Sequence, residues 1–172
     1  MSEALARITR ADAPGMISIR ADLARAGDAI AVAVGLAIPD RTRITTDGSR
    51  SLGWMSPDEL LVILPAHDCA EALAVLQDAM QGEHALIVDV SDMRVMFHVA
   101  GAKATQVLAK LCPVDIAAMP PDGFRRTRAA QVGVAIWRQD GGMRMVCFRS
   151  VADYVETILR NAAVPGSDLD PR

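Results

Sequence analysis

Aromatic residues make up only 3% of the 172-residue chain, and two of its 18 basic residues are lysines, Lys103 and Lys110; the other 16 are arginines. Few aromatics and a net charge of −3 weigh against single-stranded nucleic acid as the main partner. Such binding uses stacking platforms and a basic groove that displaces counterions. Cysteine is scarce too: Cys69, Cys112 and Cys147 are odd in number, widely spaced and form no C-x-x-C pair. That pattern fits a reducing compartment, the cytoplasm, better than a disulfide scaffold. Long hydrophobic runs are missing. The longest, Ala29 to Ile38, is too short to cross a bilayer, and the N-terminal MSEALARITRADAPG has no apolar signal core.

Nucleotide and metal signatures are also lacking. No glycines are spaced for pyrophosphate between a strand and a helix, and there is no phosphate loop. Gly141-Gly142 reads as a hairpin turn. His67, His84 and His98 stand apart, so no metal ligand set is expected. Each cysteine reads as a small buried apolar residue. Cys112 in particular follows a helix, whose negative end disfavours thiolate. No catalytic residue is expected from the motifs.

What is present is a globular pattern with 51% hydrophobic residues, enough for a substantial core. Residues 1–15 read as an N-terminal arm, 16–163 as a single α+β domain and 164–172 as a C-terminal tail. Residues 16–20 alternate as a first strand. Over 29–38 the alanines, Gly27-Asp28 as cap, and Gly35 and Pro39 as stops favour a short buried helix. The two-residue period of Ile30, Val32, Val34, Leu36 and Ile38 leaves a strand as the alternative.

Residues 43–46, 51–55 and 59–64 form a meander about Asp47-Gly48 and Ser56-Pro57-Asp58. A helix follows over 67–81, stopped by Gly82. Strands at 85–90 and 94–99 lead to a helix over 101–111. Strands at 126–138 and 143–149 form a hairpin about Asp140-Gly141-Gly142. A final helix is capped by Ser150, with Val151, Tyr154, Val155, Ile158, Leu159 and Ala162 as its stripe. The order indicates an α+β fold, antiparallel sheets with helices packed on one face, with two similar halves as one arrangement.

Two groups of residues stand out. In IVDVSDMR, alternation sets Asp89 opposite Val88 and Val90, which would partly bury it with Arg94 as partner. Asp89 and Asp92 are therefore candidates for a general base or a proton-holding ligand of a heterocycle, against the simpler alternative of a structural ion pair. Residues 124–149 carry six arginines, Arg125, Arg126, Arg128, Arg138, Arg144 and Arg149, against one acid, Asp140. Arg125, Arg126, Arg128 and Arg144 are the candidates for a partner interface, since arginine is enriched at such surfaces, with internal ion pairing, an anion site and plain solvent exposure as the alternatives. On a strand, Arg126 and Arg128 share a face that Arg125 does not.

The stretches WMSPDELL (54–61), VDVSDMR (88–94), KLCPVD (110–115), FRRTRAAQ (124–131) and CFRSVADY (147–154) occur in an order that resembles the gamma subunit of heterotetrameric sarcosine oxidase. The resemblance implies a fold like the folate-binding domain of the glycine-cleavage aminomethyltransferase. It implies a complex that demethylates sarcosine to glycine, with hydrogen peroxide formed and the one-carbon unit passed to tetrahydrofolate. It also implies alpha, beta and delta subunits as partners, with FAD, FMN, NAD and tetrahydrofolate on the large alpha and beta subunits. No catalytic or cofactor residue is carried onto this chain. The alternative is a stand-alone folate or pterin module; a membrane or nucleic-acid role is not expected.

Overall fold

A computed structural model describes residues 3–169; the outermost residues of the expected arm and tail, 1, 2 and 170–172, lie outside the described residues. Where the sequence suggested one domain over 16–163, the chain divides into two compact units. One is Ala13–Asp92, and the other joins the segments on either side of it.

The Ala13–Asp92 unit holds a five-stranded antiparallel sheet. Its strands are β2 (Gly15–Arg20), β3 (Ile44–Asp47), β4 (Arg50–Ser56), β5 (Glu59–Leu64) and β6 (Leu86–Asp89), in the order β3-β4-β5-β2-β6. Every residue of β5 is buried. Helices α1 (Leu23–Val34) and α2 (Cys69–Ala79) share a core with one face of this sheet, where Ile17, Ile19, Leu60, Val62 and Ile87 meet Ile30, Val34 and Leu76.

The helix expected over 29–38 begins earlier, at Leu23. Asp22, in an extended conformation, accepts a hydrogen bond from the Ala24 N–H at 3.0 Å and so caps the first turn. Gly35, at φ +76°, closes the helix in the left-handed conformation that glycine adopts freely. The strand alternative fails at Val32, which is 84% exposed while Ile30 and Val34 are buried. α2 is preceded by a 3-10 turn at Ala66–Asp68 and so starts two residues after the expected 67.

The second unit holds β1 (Arg7–Arg10), β7 (Arg94–Ala100), β8 (Phe124–Ala129), β9 (Val132–Gln139) and β10 (Gly142–Phe148), in the order β1-β7-β10-β9-β8. Its core face carries Ile8, Phe97, Val99, Val134, Ile136, Met143, Met145 and Cys147. They pack with Val107 and Leu108 of α3 (Ala104–Ala109) and Val155 and Leu159 of α4 (Ala152–Ala162).

Here the sequence expectation needs four corrections. The arm contains a strand, β1, whose four residues pair with β7 from Arg7↔Ala100 to Arg10↔Phe97. The strand expected over 126–138 is two strands, because the chain turns at Ala130-Gln131. Ala130 adopts φ +50° without glycine or asparagine to signal it, and its N–H bonds the Leu111 carbonyl at 2.8 Å. The final helix has no Ser150 cap: a 3-10 turn at Arg149–Val151 leads into α4, whose cap position, Val151, makes no side-chain hydrogen bond. α3 is also shorter than the expected 101–111.

Both lysines of the chain hold the segment after α4. Lys110 Nζ donates to the Ala162 carbonyl at 2.7 Å and to Ser167 Oγ at 2.8 Å, and Lys103 pairs with Asp168. Among the described residues no helix is long and apolar enough to cross a membrane.

Candidate docking face

The arginine-rich stretch lies in the β8-β9-β10 part of the second unit, and strand pairing decides where each guanidinium goes. Val134, Ile136, Met143, Met145 and Cys147 point to the helices. The alternate residues of β9 and β10 therefore point to the opposite face. Cross-strand partners share a face, so Arg126, opposite Ala135, and Arg128, opposite Gly133, also lie away from the helices. Arg125 and Thr127 take the helix side. Arg125 there lines a depression of about 390 Å³ with Asp115 and Met119.

β8 is an edge strand, paired only with β9, and Arg125, Arg126 and Arg128 are all exposed. Charge on an edge also discourages unwanted strand pairing. Arg126 has an interaction within the chain as well. Arg144 differs from the other three candidates. Its side chain is only 17% exposed and pairs with Asp140 at 2.6 Å across the hairpin tip. Arg138 is likewise occupied, donating to the Ile116 carbonyl at 2.6 Å and so tethering the loop before β8.

Beside Arg144 on β7 stands His98. Burial lowers its pKa, and the positive charge of Arg144 lowers it further. The imidazole lies over Gly142, where any Cβ would sit 2.6 Å from the Val99 carbonyl and 2.8 Å from His98 Nε2. Glycine is required there by close approach. On the same face the Phe124 and Trp137 rings pack with centroids 5.3 Å apart. At its far end the Arg94 guanidinium sits 5.0 Å from the centroid of the Phe148 ring. Phe148 is 47% exposed. The sequence reading missed that Gly133, Phe148 and Arg94 lie in one cross-strand row with Arg128. Recognising the turn at Ala130 would have set the register that aligns them.

The acidic candidates lie in the other unit. Asp89 pairs in register with Ile17, on the face of buried Ile87, yet is itself exposed at the strand end. Its carboxylate accepts from the Ser91 N–H at 2.9 Å and the Ser91 hydroxyl at 2.5 Å, bonds that hold its pKa below the usual carboxylate value. It acts as a local cap for the 3-10 turn Ser91–Met93. Asp92 is exposed on that turn and has an interaction within the chain.

A depression of this unit, about 790 Å³, is lined by Arg20, Asp22, Arg25, Asp58 and Glu83 among others. Both of its arginines are paired: Arg20 with Asp58 at 3.5 Å and, outside the lining, with Glu59 at 2.8 Å, and Arg25 with Glu83 at 3.0 Å. Among the described residues no three His, Cys, Asp or Glu side chains are grouped to hold a metal.

The model of the sarcosine oxidase, gamma subunit family matches residues 19–165. The sarcosine oxidase subunit gamma of Arthrobacter sp. is 30% identical over 130 residues, 71% of this chain and 62% of that protein. That of Corynebacterium sp. (strain U-96) is 32% identical over 117 residues, 64% of this chain and 55% of that protein. The chain thus spans a little over half the length of these curated relatives.

Among solved structures, a chain of heterotetrameric sarcosine oxidase from Corynebacterium sp. U-96, in complex with pyrrole 2-carboxylate, superposes with a TM-score of 0.87. It is 24% identical, with 97% of this chain and 88% of that chain covered. The glycine cleavage system aminomethyltransferase T of Bartonella henselae gives a TM-score of 0.69 at 14% identity, over 92% of this chain and 46% of that chain. At these identities the likeness is one of fold.

Proposed function

The chain belongs to the sarcosine oxidase gamma subunit family, and from that premise we propose that it is a non-catalytic subunit of a sarcosine oxidase complex. In this proposal the complex demethylates sarcosine oxidatively to glycine, forming hydrogen peroxide and passing the one-carbon unit to tetrahydrofolate. The large alpha and beta subunits carry the flavins, NAD and folate, and this chain stabilises and orients the alpha, beta and delta assembly. The family match across 19–165 carries the proposal, since it reaches into both compact units and covers most of the chain.

The geometry supports a docking role in a specific way. Arg126 and Arg128 stand about 6.6 Å apart on one face of an edge strand. Arg126 already has an interaction within the chain, whereas the exposed Arg128 fork can take a carboxylate of a partner, and such a charge-assisted pair fixes orientation as well as affinity. Arg144, spent on Asp140, is a weaker candidate than the sequence suggested.

Replacing Arg126 and Arg128 together with alanine is expected to leave the chain folded and to weaken its association with the other subunits by about tenfold or more, as for truncated interface arginines. Sedimentation of the co-expressed subunits measures this. Unchanged association removes these residues from the interface, and loss of folding assigns them to internal pairing.

The likeness in fold to aminomethyltransferase T keeps a second reading in view, a pterin site at Asp89 and Asp92. The engagement of Asp89 by Ser91 leaves its carboxylate poorly placed to receive a heterocycle N–H. Calorimetric titration with tetrahydrofolate decides: heat at millimolar ligand that disappears in Asp89→Asn establishes the site.

A further inference from the structure

One glycine of the second unit has no reason among the described residues to be glycine. Gly133 lies inside β9, outside the set of residues with positive φ, and a Cβ built on it would find nothing within 4 Å. Neither backbone conformation nor internal packing demands it, in contrast to Gly142. A glycine inside a strand weakens the strand, and it marks places where another backbone or a ligand comes close.

The neighbours of Gly133 define what could come close. Arg128 pairs with Gly133 across β8-β9, and Phe148 pairs with Arg94 across β10-β7. Cys147 pairs with Val134, so the next step of that register brings Phe148 level with Gly133. The four therefore form one row on the face away from the helices: Arg94, Phe148, Gly133, Arg128. With strands about 4.8 Å apart, Phe148 and Arg128 stand roughly 10 Å from each other. That interval leaves a slot one side chain wide, floored by Gly133. One wall is a half-exposed phenyl ring already carrying the Arg94 guanidinium, and the other is an exposed guanidinium.

The charge of the occupant follows from the surroundings. Within 124–149 the sole acid is Asp140, at the distant hairpin tip, where it is paired with Arg144. Arg128 therefore presents positive charge at the slot. The wall of phenyl ring asks for an apolar stem. We propose that this slot receives a glutamate or aspartate side chain from an acidic, extended segment of a partner subunit. The carboxylate pairs with Arg128, and the stem lies over Gly133 against Phe148. The proposal rests on the subunit reading above and names the chemistry of the docking contact.

Filling the slot from within tests it. Gly133→Val places a strand-favouring side chain in open space, so the full-length variant is expected to fold with an unchanged or higher melting temperature. Its association with the co-expressed alpha, beta and delta subunits is expected to fall at least tenfold, the range of a central interface contact. Arg128→Glu, at an exposed edge position, is expected to do the same, with Arg128→Lys recovering part of the loss.

If the wild-type chain assembles and both Gly133→Val and Arg128→Glu assemble equally well, the slot is refuted while the subunit reading stands. If the wild-type chain does not join the three subunits, both fall. Salt-sensitive retention of single-stranded RNA by the wild-type chain, lost in Arg128→Glu, assigns Phe148 to base stacking and also overturns the proposal.

Discussion

Replacing Phe97 with alanine is expected to lower the unfolding free energy by about 3–5 kcal/mol, the range for deleting a fully buried aromatic ring. Phe97 lies on β7, between β1 and β10, opposite Arg10 on one side and Met145 on the other. Its ring is fully buried among the apolar side chains that α3 and α4 share with the sheet. The Arg10 guanidinium, which also pairs with Asp153 and with Glu156 at 2.6 Å, sits 5.7 Å from the ring centroid. The substitution thus leaves a cavity in the core and removes the surface on which the β1-to-α4 clasp rests. Since domains are stable by only about 5–15 kcal/mol, the loss is a large share of the total. Urea unfolding checks it. Phe97→Leu, which keeps most of the volume, is expected to cost much less, and an alanine variant losing under about 1 kcal/mol contradicts the assignment of this core.

The second large effect is alkaline. Burial pushes the thiol of Cys112 up to about 11 from 9.0, and that of Cys147 likewise up to about 11, against a smaller opposing pull from Arg10 and Arg94. The folded state holds both thiol protons more tightly than the unfolded chain. Their contribution is therefore complete below pH about 9 and lost as pH rises from there through about 11. In that window each thiol lowers stability by up to about 1.4 kcal/mol per pH unit. Denaturant midpoints between pH 8 and 11 are expected to fall more steeply for the wild-type chain than for the Cys112→Ala, Cys147→Ala double variant. Equal slopes refute the buried-thiol account. Cys69 is also buried, its thiol raised by burial and its Sγ 3.6 Å from Ser91 Oγ.

How much of this was legible in the sequence depended on how strongly each residue speaks locally. The meander over β3 to β5 was visible because Asp47-Gly48 and Ser56-Pro57 are unambiguous turn residues, and Gly48 does take a positive φ. α4 was visible from its stripe, of which Val155, Leu159 and Ala162 are buried. β1 was invisible because RITR offers a single apolar residue, Ile8; its strand character comes from pairing with β7, a partner more than 80 residues away in the chain.

The turn at Ala130 was missed for the opposite reason. The residue type with the strongest helix preference takes φ +50° in the turn between β8 and β9, where its N–H bonds the Leu111 carbonyl. That one miss hid the row for which docking is proposed. With 126–138 taken as one strand, nothing aligns Gly133 with Arg128, and Phe148 remains an isolated aromatic. Alternation alone did separate Arg125 from Arg126 and Arg128, because a period of two needs no tertiary information. The pairing of Arg144 with Asp140 is a contact across a hairpin tip, and alternation could not supply it.

The central claim, that this chain serves a sarcosine oxidase by docking rather than by chemistry, is tested most directly by leaving it out. Alpha, beta and delta subunits are expressed with and without the chain. The mass, the thermal midpoint and the sarcosine-dependent formation of hydrogen peroxide are then measured on both preparations. The account predicts one copy of the chain per complex, and an assembly that is destabilised or incomplete in its absence. A complex of unchanged stability and activity without the chain contradicts it.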